Sequence, residues 1–371
     1  MNKKILLLIP APSALGGVTT YINILKKEFT ANIDYLIRGN RTYPFRKSKF
    51  LNLIRFLKDI AHFIYAVIFR RYKLIQTNTS FDKHGILRDC FYVIIGKLFF
   101  KKVIVFYHGW DNDYVNLVER KYLKWFKIVF FRANAFVVLS SEFQQTLKKW
   151  GYTKPIYVET TIVDKDLVKN ISEASVRAKY SPATDSRLSM LYLARIEKEK
   201  GIYIALQTFE ILKQTYPNLS MTIAGNGLEL ENIRSEISEK NMKDITVKGH
   251  IVKDEIASTF GSSMIYIFPT YYKEGLPTSV LEAMAFGLPV ITRPVGGLKD
   301  FFKNDKMGFI TESLDPKDFS ELIDQLLQQP EKMREIALYN YFYARENFIS
   351  NIVVKRIEEI YKKVINDKVE S

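Results

Sequence analysis

Short β-branched or aromatic runs alternate with longer amphipathic stretches along the whole chain. This alternation predicts an α/β protein built from two Rossmann-like doubly wound domains in tandem. Two further observations support it. At 371 residues the chain is too long for one ordinary core and fits two domains. The strand–helix pattern also restarts after residues 165–187, a polar stretch of little strand character that includes Ser181-Pro182-Ala183-Thr184-Asp185 and is the expected junction. Such domains face each other across a cleft at the carboxyl ends of their strands. The expected bounds are 1–170 and 171–346, with a C-terminal helix over 347–371 that can pack back on the first domain.

In the first domain the expected strands are Ile5–Ile9, Ile33–Ile37, Leu74–Thr77, Val103–Tyr107, Ala135–Leu139 and Ile156–Val158. Helical stretches between them include Thr19–Phe29, Leu51–Phe69 and His84–Phe100. The opening Met1-Asn2-Lys3-Lys4 superficially resembles a leader, but the apolar run Ile5–Ile9 stops at Pro10 and reads better as a buried strand. The second domain repeats the pattern with Met190–Ala194, Met221–Ala224, Ile245–Val247, Met264–Phe268, Val290–Thr292 and Gly308–Thr311. Leu51–Phe69 and Phe91–Phe106 each contain too many charges to span a bilayer. In the first of these, Asn52, Arg55, Asp59 and His62 form one narrow polar stripe, and Arg70-Arg71-Tyr72-Lys73 follow. That helix either covers the sheet from inside the domain or docks at the interface of an anionic bilayer.

Composition narrows the function classes. Hydrophobic content of 47% and charged content of 26% are ordinary for a globular protein. The lone Cys90, in an apolar run, excludes an internal disulfide framework and fits a reducing cytoplasm. The net charge of +15 is uneven: residues 1–170 are net +17 and the remainder net −2. The first half therefore faces something anionic, such as membrane lipid or a phosphorylated lipid carrier, or carries a solvated basic surface. A nucleic-acid partner is not expected, because there is no aromatic–basic platform, helix-turn-helix or zinc-knuckle pattern. His62, His84 and His250 form no ligand-spaced cluster, so no metal is expected.

The chemistry concentrates in the run from Phe268 to Val290. A strand ends near Phe268, Gly275 lets the backbone approach a ligand, and Pro277, Thr278 and Ser279 open and cap a helix. Free amides at that helix start suit a phosphate. Glu274 before it and Glu282 one turn inside it are placed to accept hydrogen bonds from sugar hydroxyls. Gly16 and Gly17 lie between the first strand and helix, either as a tight turn or as an anion-binding loop. Arg195 just past a strand end and Lys200 five residues on either clamp a diphosphate or sit as surface cations beside Glu197, Lys198 and Glu199. Gly225-Asn226-Gly227 is either a simple turn or a donor contact. His108, at a strand end before Gly109, is either structural or a cleft residue, and Asp111 and Asp113 either cap a turn or orient an acceptor hydroxyl.

Glu274 and Glu282, with seven residues between them, resemble the E-x₇-E motif of retaining GT-B enzymes, and the whole segment resembles glycosyltransferase family 4 (glycosyl transferases group 1). Gly16-Gly17-Val18, His108-Gly109, Leu193-Ala194-Arg195 with Lys200-Gly201, Ala224-Gly225-Asn226-Gly227, Gly296-Gly297 and Gly308-Phe309 are similar to further family signatures in matching order. The resemblance implies a GT-B fold and transfer of a hexosyl or N-acetylhexosaminyl group, with retention, from a nucleotide-sugar, most often UDP-linked. It implies a lipid-linked or polysaccharide acceptor of bacterial surface glycan synthesis, reached from the cytoplasmic face of the membrane. Glu282 would hold the ribose, Glu274 and His108 the transferred sugar, and Arg195, Lys200 and the glycine loops the diphosphate. No cofactor or metal is implied, and domain closure would align the substrates. The rival readings are a nucleotide-sugar epimerase of the same fold and a non-catalytic sugar-nucleotide or membrane-binding partner.

Overall fold

The computed structural model describes residues 4–12, 14, 16–39, 49–181 and 188–367. Residues 1–3 of the leader-like opening and 182–187 of the expected junction lie outside them. The chain forms two compact units: Met1–Ile162 with Lys273–Leu276 and Ser350–Ser371, and Val163–Tyr272 with Pro277–Ile349.

The first unit runs β1 (Ile5–Ile9), α1 (Gly17–Glu28), β2 (Ile33–Ile37), α2 (Lys49–Phe69), β3 (Leu74–Phe81), α3 (Lys83–Leu98), β4 (Lys102–Trp110), α4 (Asn112–Leu117), α5 (Leu123–Phe130), β5 (Ala135–Val138), α6 (Ser141–Lys149) and β6 (Ile156–Val158). Its strands are all parallel, in the order β2-β1-β3-β4-β5-β6. The β-branched and aromatic residues of the central strands β1, β3, β4 and β5 are buried on both faces, as a parallel sheet covered by helices requires. Caps set the helix starts: Asp82 accepts from the Gly85 amide at 2.8 Å to open α3, and Ser140 accepts from the Glu142 amide to open α6.

The second unit runs α7 (Glu173–Lys179), β7 (Ser189–Leu193), α8 (Ile202–Thr215), β8 (Ser220–Ala224), α9 (Leu230–Glu239), β9 (Ile245–Gly249), α10 (Asp254–Ser262), β10 (Ile265–Phe268), α11 (Thr278–Ala285), β11 (Val290–Thr292), α12 (Leu298–Phe301), β12 (Gly308–Ile310), α13 (Pro316–Leu327) and α14 (Pro330–Asn347). Its parallel sheet has the order β12-β11-β10-β7-β8-β9. Buried Asn340 of α14 donates to the Leu288 and Met307 carbonyls, each at 2.8 Å, and so pins that helix against the strand entries.

The last helix, α15 (Ser350–Asn366), belongs to the first unit and packs on α1. Its Glu358 carboxylate accepts from the Thr30 and Ala31 amides at 2.7 and 2.8 Å and from the Thr30 hydroxyl. Arg356 pairs with Glu159 at 3.0 Å.

Some expectations need correction. Two strands run further than expected, β3 past Thr77 to Phe81 and β4 past Tyr107 to Trp110. The sheet-covering reading of α2 holds for only one side of that helix. Phe63, Ala66 and Val67 are buried, and Asp59 on the same side accepts from the Gly39 amide at 2.9 Å. The polar stripe therefore points partly inward, and large apolar residues point out.

Candidate active site

Topology locates the sites before any side chain is considered. In each parallel sheet the loops diverge where the strand order reverses, and ligands bind there at the carboxyl ends. The reversal falls between β1 and β3 in the first unit and between β7 and β10 in the second.

In the first unit, Gly16 and Gly17 start α1 at that point. Gly16 has φ 139° and no side chain caps the helix. A cavity of about 270 Å³ lies beside them, lined also by Arg38, Asn78, His84 and Arg88. Buried Asp89 bridges the two arginines, 3.5 Å from Arg38 and 2.7 Å from Arg88. Sequence reasoning missed this trio, since an Arg38–Asp89 pair 51 positions apart carries no motif.

His108 sits on the bulge of β4: Thr79 pairs with Tyr107 and Ser80 with Gly109, which leaves His108 as the extra residue. Bulges re-aim a side chain. Its ring stacks on Phe106 at 3.9 Å and meets the Tyr21 ring edge-on at 4.8 Å. Nε2 lies 3.0 Å from Asn78 Oδ1, which also accepts from Gln76 Nε2. That oxygen only accepts, so the network assigns the proton to Nε2 and leaves Nδ1 as an acceptor. Burial, with repulsion from Arg38, pushes the imidazole pKa down to about 3. The expected result is an imidazole that stays neutral from pH 5 to 8. NMR shifts of His108 flat over that range would confirm it, and a titration midpoint near 6.5 would refute it.

The segment Lys273–Leu276 is grouped with this unit. Lys273 Nζ lies 2.9 Å from Asp111 and also pairs with Asp113. Asp111 caps α4 by accepting from the Asp113 amide, which supports the capped-turn reading. Burial opposes ionisation there, but Lys273 and the cap amides hold its carboxyl below the usual range. Gly275 meets the backbone of β4: a Cβ at this position would lie 2.3 Å from the His108 carbonyl oxygen. Glu274 is thus held between two anchored neighbours.

In the second unit, Arg195 and Lys200 follow β7 and converge on one ring that sequence reasoning missed. Lys200 Nζ lies 3.9 Å from the Tyr272 ring centre and the Arg195 guanidinium 5.3 Å from it. Lys200 is only 6% exposed, which corrects the surface-pair reading for this residue. Arg195 is more open and pairs with Glu197 at 2.6 Å. Gly225 has φ +140°, and a Cβ there would lie 1.8 Å from the Ala194 carbonyl oxygen, so close backbone packing alone demands glycine.

Thr278 and Ser279 begin α11, but Pro277 is the cap residue and no side chain caps the helix. The Ser279 hydroxyl instead donates to the Tyr266 hydroxyl oxygen at 2.7 Å, and that tyrosine donates its own proton to the Leu193 carbonyl. The first-turn amides of α11 therefore have no side-chain cap. Burial, with Asp164 adding repulsion, pushes the Glu282 carboxyl up to about 8. Among the described residues, no three His, Cys, Asp or Glu side chains come together as a metal site.

The second site lies in a segment that resembles a known family. The profile of the family described as glycosyl transferases group 1 matches residues 177–341. These residues are similar to that family. The matched segment contains Arg195, Lys200, Gly225, Glu274, Gly275, Thr278, Ser279 and Glu282, whereas Gly16, Gly17 and His108 lie outside it. The capsular polysaccharide biosynthesis glycosyltransferase CapM of Staphylococcus aureus is 29% identical over 62% of this chain and 58% of its own length. The chain spans roughly half the length of the first curated relatives it matches. Sucrose-phosphate synthase from Thermosynechococcus elongatus superposes with a TM-score of 0.74 at 19% identity, covering 98% of this chain and 99% of the other. Anabaena HepE in complex with UDP superposes with 0.73 at 16% identity, over 97% and 100%. The chain's α/β architecture is therefore the GT-B fold expected from the sequence.

Proposed function

We propose that the protein is a retaining glycosyltransferase of family 4 that moves a hexosyl or N-acetylhexosaminyl group from a UDP-linked donor to a lipid-linked or polysaccharide acceptor in bacterial surface glycan synthesis. The observation that carries this reading is the convergence of Lys200 and Arg195 on Tyr272 within the glycosyl transferases group 1 segment, where the strand order reverses. The UDP held by HepE supports the choice of nucleotide.

As the bond from the anomeric carbon to the leaving phosphate breaks, charge grows on the diphosphate. Arg195, Lys200 and the α11 amides stabilise it in place of a metal ion. The acceptor oxygen bonds to the same face of that carbon and its proton passes to the departing phosphate. Glu282 holds the ribose, and Glu274 and His108 hold the transferred sugar. The basic first unit takes the acceptor, at the inner face of the cytoplasmic membrane.

The test is thermal shift with UDP, GDP, ADP and their sugars without metal, on the wild type and Glu282→Ala. At 100 times its dissociation constant UDP should add about 2.7 kcal/mol, a shift of a few degrees, and the variant should lose it. A carboxylate accepts from both ribose hydroxyls, whereas the neutral acid accepts less well. UDP affinity is therefore expected to rise as pH increases through about 8, the pKa of Glu282. Equal affinity at pH 6.5 and 9 would remove Glu282 from the ribose.

A further inference from the structure

The outer face of α2 is apolar where a surface helix should be polar. Phe50 is 70% exposed and Leu57 is 57% exposed, with Leu53, Ile68 and Phe69 also open to solvent, while the charged Asp59 is buried beneath them. The patch continues onto α3, whose exposed Phe91 meets Phe56 of α2 edge-on at 5.3 Å, and along it to Leu98. Phe100 then stands 96% exposed at φ +54°, a backbone region that bulky residues avoid. Neither local conformation nor packing accounts for a phenylalanine there. Exposed Trp125 and Ile128 extend the surface onto α5, which packs on α3.

Cations border this surface: Lys58, Arg71, Lys83, Lys121 and Lys124 are exposed. The acids of α2 and α3, Asp59 and Asp89, are buried. A face that is apolar along its helices and basic at its margins suits an anionic lipid interface, where side chains enter the acyl boundary and cations meet headgroups. No helix among the described residues is long and apolar enough to cross a membrane.

We infer that the outer face of α2, α3 and α5 is an insertion surface for an anionic bilayer. The inference deepens the membrane-facing part of the proposed function and rests on it. Helices in a parallel α/β unit run alongside the strands, so this surface lies parallel to the sheet. The carboxyl strand ends of the first unit, with the cavity beside Gly16, then open sideways along the membrane rather than into it or away from it.

The test is co-sedimentation with phosphatidylglycerol–phosphatidylcholine vesicles and with phosphatidylcholine alone, for the wild type, Leu53→Ser/Leu57→Ser and Phe100→Ser. The wild type should bind the anionic vesicles, and the double variant should bind about tenfold more weakly or worse. Raising salt to about 0.5 M should weaken wild-type binding without abolishing it, since the apolar part is unscreened. A wild type that stays in the supernatant, binding that salt removes entirely, or variants that bind equally well would each overturn the inference. So would a wild-type dimer that the double variant breaks, measured by light scattering, because the face would then be a contact with a second copy. A UDP thermal shift equal in all three proteins shows that they are folded. Vesicle binding without any UDP shift would sink the transferase reading and leave the membrane surface standing.

Discussion

Lys200→Ala is expected to lower the turnover of sugar transfer by about 10²–10³-fold, with the donor KM changed by no more than about threefold. The reasoning starts from burial. A lysine only 6% exposed, with its ammonium lying on a tyrosine ring, has little room for water around its charge. In such a place a cation acts on a nearby growing charge far more strongly than it would in solvent. In the proposed mechanism the charge on the diphosphate grows as the glycosidic bond breaks, so the loss is expected to fall on the transition state more than on binding. Lys200→Met keeps the aliphatic stem and should lose activity to the same degree, which separates charge from packing. Tyr272→Leu should cost less, because it loosens the lysine without removing it. A Lys200→Met enzyme with more than a fifth of wild-type turnover would remove Lys200 from the leaving group.

The second large effect is expected from Gly275→Ala. The added Cβ would fall 2.3 Å from the His108 carbonyl oxygen and 3.1 Å from Leu139 Cδ1. The first neighbour is backbone inside the sheet, which cannot give way, so Lys273–Leu276 must lift off and carry Glu274 with it. Transfer should fall about 100-fold, since misplacement by about an ångström costs that much. Overpacking should lower stability by about 1–3 kcal/mol. Gly261→Ala is the control: nothing lies within 4 Å of its Cβ, and alanine in α10 should be neutral or slightly stabilising. Equal activity in both variants would show that the approach of Gly275 to His108 does not position the glutamate.

What could be read from the sequence was what depends on near neighbours. Strands such as Ile5–Ile9, Ile33–Ile37 and Val290–Thr292 have the observed bounds, because their apolar runs are short and sharply ended. The region from Phe268 to Val290 was legible because its glycine, proline and small residues constrain the backbone locally. The bulge at His108 was not, since a bulge is a property of pairing between β3 and β4 and of neither strand alone. Tyr272 carries no signal of its own in the sequence, because its value lies in two cations from another loop. A hydroxyl at a helix start usually caps it, whereas Ser279 in the folded chain bonds to Tyr266, thirteen residues earlier. Which of the two readings of α2 fits each of its sides was not legible for a related reason. Periodicity gives the two sides of a helix, but Asp59 had to find the Gly39 amide before it was clear which side faced in.

The return of α15 to the first unit has a consequence for the order in which the chain is made. The ribosome synthesises all of Val163–Ile349, and with it the whole second unit, before the seventeen residues that supply Glu358 to the Thr30 and Ala31 amides. The second unit can therefore reach its native state on the nascent chain while the first still exposes the side of α1 that α15 will cover. The domain begun first is the domain finished last, and a chain halted before residue 350 would present that bare side to chaperones and proteases.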